Sequence, residues 1–369
     1  MLDTSVSCMN SCIHAGLRWL TRSGIQDESG GVARYYIADS REYKNISAGS
    51  TGSFASALLR LQWQQGEPLP GPALRAGHFL VEHAFDKTSD LFFYERGNSA
   101  APPPALAYFF DCGIIIRGLL DLWRATGDRV YLDYAERCGM ALCGKMSIVD
   151  GSFFPLYDIA LNHPHSGSGV WSVEPGVYQL KVGLAFLELA EATGLGQFRA
   201  TTESLRKWAL KRQESFLRDE TEEPQLLMDR AHAYCYFLEG LLPEAALDRD
   251  CSQALQFGLL SVENLVEEIG GQFERCDVLA QMLRLRLYAD IMGVMELSRG
   301  RADQEATRIA EFQMQSPDPK VDGGFAFARR RGELVQHLNP ATTAQAVQAL
   351  QMWDQAEDGG FRQSWKVLI

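Results

Sequence analysis

A short Gly/Asp-plus-aromatic element recurs along this chain, and its spacing restricts the available folds more than any other feature. It reads Gly30-Gly31-Val32-Ala33-Arg34-Tyr35, then Asp90-Leu91-Phe92-Phe93-Tyr94, then Asp150-Gly151-Ser152-Phe153-Phe154. A degenerate copy follows at Pro224-Gln225-Leu226-Leu227. The last two are Gly270-Gly271-Gln272-Phe273 and Asp322-Gly323-Gly324-Phe325-Ala326-Phe327. Counted from Gly31 and through Leu226, successive copies lie 59, 60, 76, 45 and 53 residues apart. Two-helix solenoid repeats run roughly 34 to 47 residues, so this longer period suits two helices plus a substantial loop.

Helical patterns fill the gaps. Before the copies lie Gly71–Phe85, Arg129–Met146, Phe198–Leu217, Ala246–Glu268 and Ala302–Met314. After them lie Thr51–Gln64, Leu106–Ala125, Val177–Ala192, Arg230–Leu241, Asp277–Glu296 and Thr342–Gln355, and Ser11–Thr21 supplies a twelfth helix. Leu119, Leu122 and Trp123 fall at helical spacing, and Gly127 and Gly194 stand where C-caps belong. Asp111, Asp229, Asp277 and Asn339 stand where N-caps belong. The second helix of each pair is apolar nearly all round, as in Cys112-Gly113-Ile114-Ile115-Ile116. The first carries charge on one side, as in Glu203-Ser204-Leu205-Arg206-Lys207-Trp208. A helix apolar all round is buried, whereas a one-sided helix lies on a surface. The expectation is an all-α (α/α)6 toroid, one domain over residues 1–369. Six helical hairpins would set six inner helices within six outer ones, with short β-strand pieces at one mouth.

Composition narrows the function classes. The net charge of −12 gives no basic face for nucleic acid, and Arg329-Arg330-Arg331 is the densest basic run. No unbroken apolar stretch reaches membrane-spanning length, and the first residues lack the pattern of a signal peptide. Eight cysteines in 369 residues are too sparse for a disulfide scaffold. A cytoplasmic protein with free thiols is expected. His163-Pro164-His165 lacks partners at metal-ligand spacing, so neither metal nor other cofactor is expected.

In a ring of this kind the long outer-to-inner loops gather at one mouth, where function concentrates. They carry Arg34, Tyr35, Tyr36, Tyr94, Trp171, Tyr178 and Phe325 among carboxylates and histidines. Aromatic faces stack on pyranose rings and acids hydrogen-bond hydroxyls, so this mixture suits a sugar ligand. The competing expectation is that about half of these aromatics plug the core.

The order of several segments is similar to a known family. These are Phe110-Asp111-Cys112-Gly113, the stretch from Leu120 to Asp128, the stretch from Arg230 to Leu242, and Gly323-Gly324-Phe325 followed by Asn339 to Ala346. They resemble, across nearly the whole chain, six-hairpin glycosidase-like proteins encoded beside bacterial polysaccharide genes. More distantly they resemble glucuronyl C5-epimerases and unsaturated-glucuronyl hydrolases. The resemblance implies the toroid and carbohydrate chemistry. It maps the family's aspartate at the second inner helix onto Asp111 and its histidine at the fourth onto His232, with Tyr236 and Glu239 at matching spacing. The sequence departs from the family at Trp171–Tyr178 and at Arg275-Cys276-Asp277.

The candidate catalytic residues are therefore Asp111, Asp229, His232 and Glu274. Candidate substrate contacts are Arg34, Tyr35, Tyr36, Tyr94, Trp171, Tyr178, Tyr236, Arg275 and Phe325. Each has a plainer alternative: N-caps for the two aspartates, a core histidine for His232, an ion pair for Glu274 and Arg275. The expected partner is an oligosaccharide or polysaccharide, including uronate-bearing ones, processed by hydrolysis or by C5-epimerisation or elimination. The alternatives are a non-catalytic glycan-binding or scaffold protein and, from Gln355-Ala356-Glu357-Asp358-Gly359-Gly360-Phe361 and Trp365, a terpene-cyclase-like toroid.

Overall fold

Helices form where the apolar periodicity places them, with two shifted starts that matter for the site. The computed structural model describes residues 2–63, 66–96, 105–217 and 223–369, with side chains from residue 9 onward. In chain order its helices are α1 (Leu2–Arg22), α2 (Ala48–Leu61), α3 (Gly71–Phe79, continued as a π-helical turn to Ala84), α4 (Phe109–Thr126) and α5 (Arg129–Lys145). They continue as α6 (Leu180–Thr193), α7 (Gly196–Leu210), the short α8 (Gln213–Leu217), α9 (Pro224–Leu241) and α10 (Arg249–Ile269). Last come α11 (Cys276–Ile291), α12 (Arg299–Ala310) and α13 (Pro340–Glu357). No described helix is long and apolar enough to cross a membrane.

The chain divides into two compact units. A middle unit holds Gln26–Arg34 and Lys44–Phe216, and a terminal unit holds Met1–Ile25, Tyr35–Tyr43 and Leu217–Ile369.

In the middle unit α4 packs between α2 and α6, and each of these three packs on an outer helix: α3, α5 and α7 in turn. The inner helices are buried on nearly every side; in α6 every residue from Leu180 to Ala190 is buried. Glycine sets how closely α2 and α4 approach. A Cβ on Gly118 would stand 2.5 Å from the Gly52 carbonyl oxygen, and one on Gly52 would stand 2.8 Å from the Ile115 Cα. The outer α7 buries only Phe198, Thr202, Leu205, Trp208 and Ala209, one stripe at helical spacing. Inner-to-outer turns are tight and end on left-handed Gly127 (φ 74°) and Gly194 (φ 76°).

The terminal unit repeats this plan. Here α11 packs between α9 and α13, and the outer partners are α10, α12 and α1. Short antiparallel strands fill the outer-to-inner loops. Phe273–Arg275 pairs with Ala328–Arg330, and His337–Leu338 pairs with Tyr36–Ile37. In the middle unit Leu106–Tyr108 pairs with Leu156–Asp158.

Several expected boundaries are corrected. The degenerate fourth copy, Pro224–Leu227, is the first turn of α9 rather than a strand, because Pro at the first helical position is preorganised for it. The helix expected over Phe198–Leu217 breaks into α7 and α8. Of the four expected N-caps only Asn339 caps, its Oδ1 accepting from the Ala341 and Thr342 amides. Strand pairing carries the chain to Tyr108, so α4 starts at Phe109 and Asp111 becomes its third residue. Asp229 is the sixth residue of α9 and Asp277 the second of α11.

Candidate functional site

The candidate residues fall into two clusters, one in each unit. In the middle unit the cluster is built on Asp111. Its carboxyl lies over Gly49 near the start of α2, where a Cβ would stand 2.9 Å from the Asp111 Cγ. Among the described residues nothing donates a hydrogen bond to it. Burial pushes its pKa up to about 7, with Arg34 opposing and Glu95 adding to the shift. Aromatic side chains surround it. Tyr94 and Tyr108 lie 4.1 Å apart, and Trp171 meets Tyr178 edge-on at 4.8 Å and Phe110 at 5.9 Å. The Tyr178 hydroxyl donates to the Glu174 carbonyl at 2.9 Å. Arg34 holds its guanidinium 5.4 Å above the Tyr94 ring and pairs with Glu95 at 3.1 Å, while Asn45 donates to the other Glu95 oxygen at 3.0 Å. Arg34 and Glu95 cancel in charge, so a protonated Asp111 sits in a neutral aromatic setting. That arrangement suits a proton donor near neutral pH.

The terminal-unit cluster runs along three inner helices. On α9 the polar residues Asp229, His232, Tyr236 and Glu239 share one face at helical spacing. On α11 the matching set is Asp277, Gln281 and Arg284, and on α13 it is Thr342, Gln345 and Gln348. Arg275 ties the upper rung together. It donates to both Asp277 oxygens at 2.9 and 2.6 Å and to Asp229 at 2.6 Å, and its guanidinium stacks 4.5 Å over Phe327. Burial raises the Asp229 pKa against the pull of Arg275. Below, His232 Nδ1 meets Gln281 Oε1 at 2.8 Å and the ring rests edge-on against Tyr236. Burial, aided by Arg275, pushes the His232 pKa down to about 4, so at neutral pH Nδ1 carries the proton toward Gln281. At the bottom, Glu239 and Arg284 are both fully buried and pair at 2.8 Å, with Gln348 on the same guanidinium at 2.9 Å.

Other candidates lie elsewhere in the terminal unit. Glu274 neighbours Arg275 on a strand and so points the opposite way, where it pairs with Arg308 of α12. Its placement is that of a buried carboxylate in a partly exposed ion pair. Tyr36 and Phe325 have no exposed surface: Tyr36 packs on Tyr43, and Phe325 lies against α1 at Gly16. Both are core plugs. Tyr35 is partly exposed and stacks on His337 at 5.3 Å. In the middle unit His163 and His165 share a strand, and among the described residues no three potential metal ligands gather.

Reading the sequence for loops missed Gln281, Gln345, Tyr108 and Glu95. A signal for the glutamines existed: polar residues at i, i+3 or i+4 inside helices that are otherwise apolar all round.

No protein-family profile matches this sequence, and none of the curated proteins does. Solved structures do match. Cellobiose 2-epimerase from Spirochaeta thermophila superposes with a TM-score of 0.73 at 14% identity, covering 96% of this chain and 98% of that one. A D-mannose isomerase gives 0.66 at 10% identity, with 93% and 97% covered. An unsaturated glucuronyl hydrolase specific for heparin gives 0.63 at 10%, with 97% and 100% covered. The fold is the (α/α)6 toroid of these structures. Identities this low carry the fold alone.

Proposed function

We propose that this protein is a carbohydrate-processing enzyme that acts on an oligosaccharide or polysaccharide by general acid–base chemistry, with Asp111 as the proton donor. The observation that carries this reading is the Asp111 carboxyl: half-buried, without a hydrogen-bond donor among the described residues, ringed by tyrosines, and protonated up to about pH 7. A glycosidic oxygen needs a proton as it leaves, and a carboxyl with a raised pKa supplies one at neutral pH. Trp171, which is partly exposed, offers a ring on which a pyranose can stack. The similar structures, a sugar epimerase, a mannose isomerase and an unsaturated glucuronyl hydrolase, support carbohydrate as the substrate class.

One observation favours a second reaction type. His232 stays neutral with its proton directed at Gln281, which suits Nε2 to abstract a proton beside a sugar carbonyl, as epimerisation or elimination requires. Product analysis separates the two. The test is a screen of neutral and acidic oligosaccharides for binding, then for released reducing ends, inverted stereocentres or unsaturated products. Asp111→Asn should lower turnover by roughly 100-fold or more while leaving binding intact. Binding without any turnover would replace this reading with a glycan-binding or scaffold role.

A further inference from the structure

Two amide ends in the terminal-unit cluster have no partner among the described residues: Gln281 Nε2 and Gln345 Oε1. Such orphans are rare in folded proteins, because an unpaired buried polar atom costs about 1–3 kcal/mol. Gln281 has no exposed surface and Gln345 retains 5%. Each is held by its other end. Gln281 Oε1 engages His232, and Gln345 hydrogen-bonds the Tyr236 hydroxyl. Gln281 lies one turn beyond Asp277 on α11, and Gln345 one turn beyond Thr342 on α13. Thr342 and Asp277 meet at 3.5 Å. The two orphaned ends therefore belong to adjacent helices, both within reach of the His232–Tyr236 pair. Reversing either amide would leave its other end unpaired instead.

We infer that Gln281 and Gln345 form a subsite for an uncharged hydroxyl-bearing ring, binding a sugar hydroxyl that accepts from one amide and donates to the other. This rests on the carbohydrate reading above and narrows it to neutral sugar at this position. Charge supports the choice. Asp229 and Asp277 outnumber Arg275, whose donors to them are already committed, so the cluster carries a net negative charge and repels a carboxylate. A hydroxyl both donates and accepts, so it satisfies a lone donor and a lone acceptor together. Exposure rises from Gln281 through His232 to Asp229, whose side chain is 27% exposed, giving the cluster an open end.

The test uses calorimetric titration of the full chain with neutral monosaccharides, their singly deoxygenated analogues, and glucuronate. A neutral sugar should bind more tightly than glucuronate. One deoxy analogue should bind roughly tenfold or more weakly than its parent, because a site built to pair a hydroxyl rejects the analogue lacking it. In Gln345→Leu and Gln281→Leu that penalty should vanish. Lost folding would not mimic this, since the readout is the ratio between parent and deoxy sugar. If the ratio is unchanged in both variants, if glucuronate binds equally well, or if no neutral sugar binds, the amides are met by water alone and the inference falls. Should Asp111→Asn still abolish turnover of a longer glycan in that case, the carbohydrate reading stands without this subsite. Should Asp111→Asn leave turnover intact while the deoxy ratio collapses in the glutamine variants, the subsite stands and the role of Asp111 falls.

Discussion

The Asp111 carboxyl rests on Gly49 closely enough that no other residue fits beneath it. Gly49→Ala should therefore displace the acid rather than merely fill space. Overpacking of this kind costs about 1–3 kcal/mol. The expected outcome is a Tm lowered by several degrees together with turnover reduced at least tenfold, read by thermal melts and product release. An unchanged turnover in a folded Gly49→Ala variant would remove the tight seat from the account.

The same carboxyl gives stability a definite pH slope. Its folded pKa lies above its unfolded value, so the native state holds the proton more tightly and loses stability as pH rises from about 4 to about 7. Above that window the penalty is complete, on the order of 2–4 kcal/mol. Asp111→Asn escapes it. The asparagine variant should gain Tm over the unsubstituted protein at pH 8 and lose that advantage by pH 4, in paired melting curves.

His232 has the opposite sign. Its folded pKa is depressed to about 4, so the stability tied to its neutral form is present above about pH 6.5 and lost as pH falls toward 4. Nitrogen-15 spectra of the histidine ring should show His232 neutral and protonated on Nδ1 at pH 5.5. A free imidazole is mostly charged at that pH. A charged His232 there would contradict both the burial and its suitability as a base.

At the bottom of the polar faces, Glu239→Ala should cost about 3–5 kcal/mol in urea denaturation, because it strands the fully buried Arg284. The double variant Glu239→Leu, Arg284→Met should recover most of that loss. If it does not, the pair is worth more than its desolvation cost.

The repeat and the contrast between inner and outer helices were readable because burial imposes a one-dimensional pattern: a helix apolar all round has only one place to go. The site was readable in type but not in position. Asp111 looked like a cap because nothing local announces the three-residue strand ending at Tyr108, whose partner lies some fifty residues away at Leu156–Asp158. Glu274 and Arg275 looked like a pair, yet strand alternation sends them to opposite sides. Phe325 looked like a ligand contact, and only the small Gly16 opposite it reveals a packed core. Gln281 and Gln345 were legible only as polar positions at helical spacing inside otherwise apolar helices, and an uncharged amide in a helix usually means solvent. Their importance comes from burial without partners, which is a property of three helices together.

The outer helix α1 has a consequence for how this chain is made. It packs on the last helix, α13, and buries Cys12, Ile13, Trp19 and Leu20, and Trp19 donates to the carbonyl of Lys320, 301 residues further on. Ribosomes add roughly 5–20 residues per second, so α1 waits on the order of 15 to 60 seconds with its apolar stripe uncovered. The three hairpins of the middle unit, by contrast, are complete once residue 216 has emerged. Synthesis therefore produces a finished half beside an orphaned first helix. During that interval a chaperone that shields amphipathic helices has its best opportunity, and a stalled ribosome its greatest hazard.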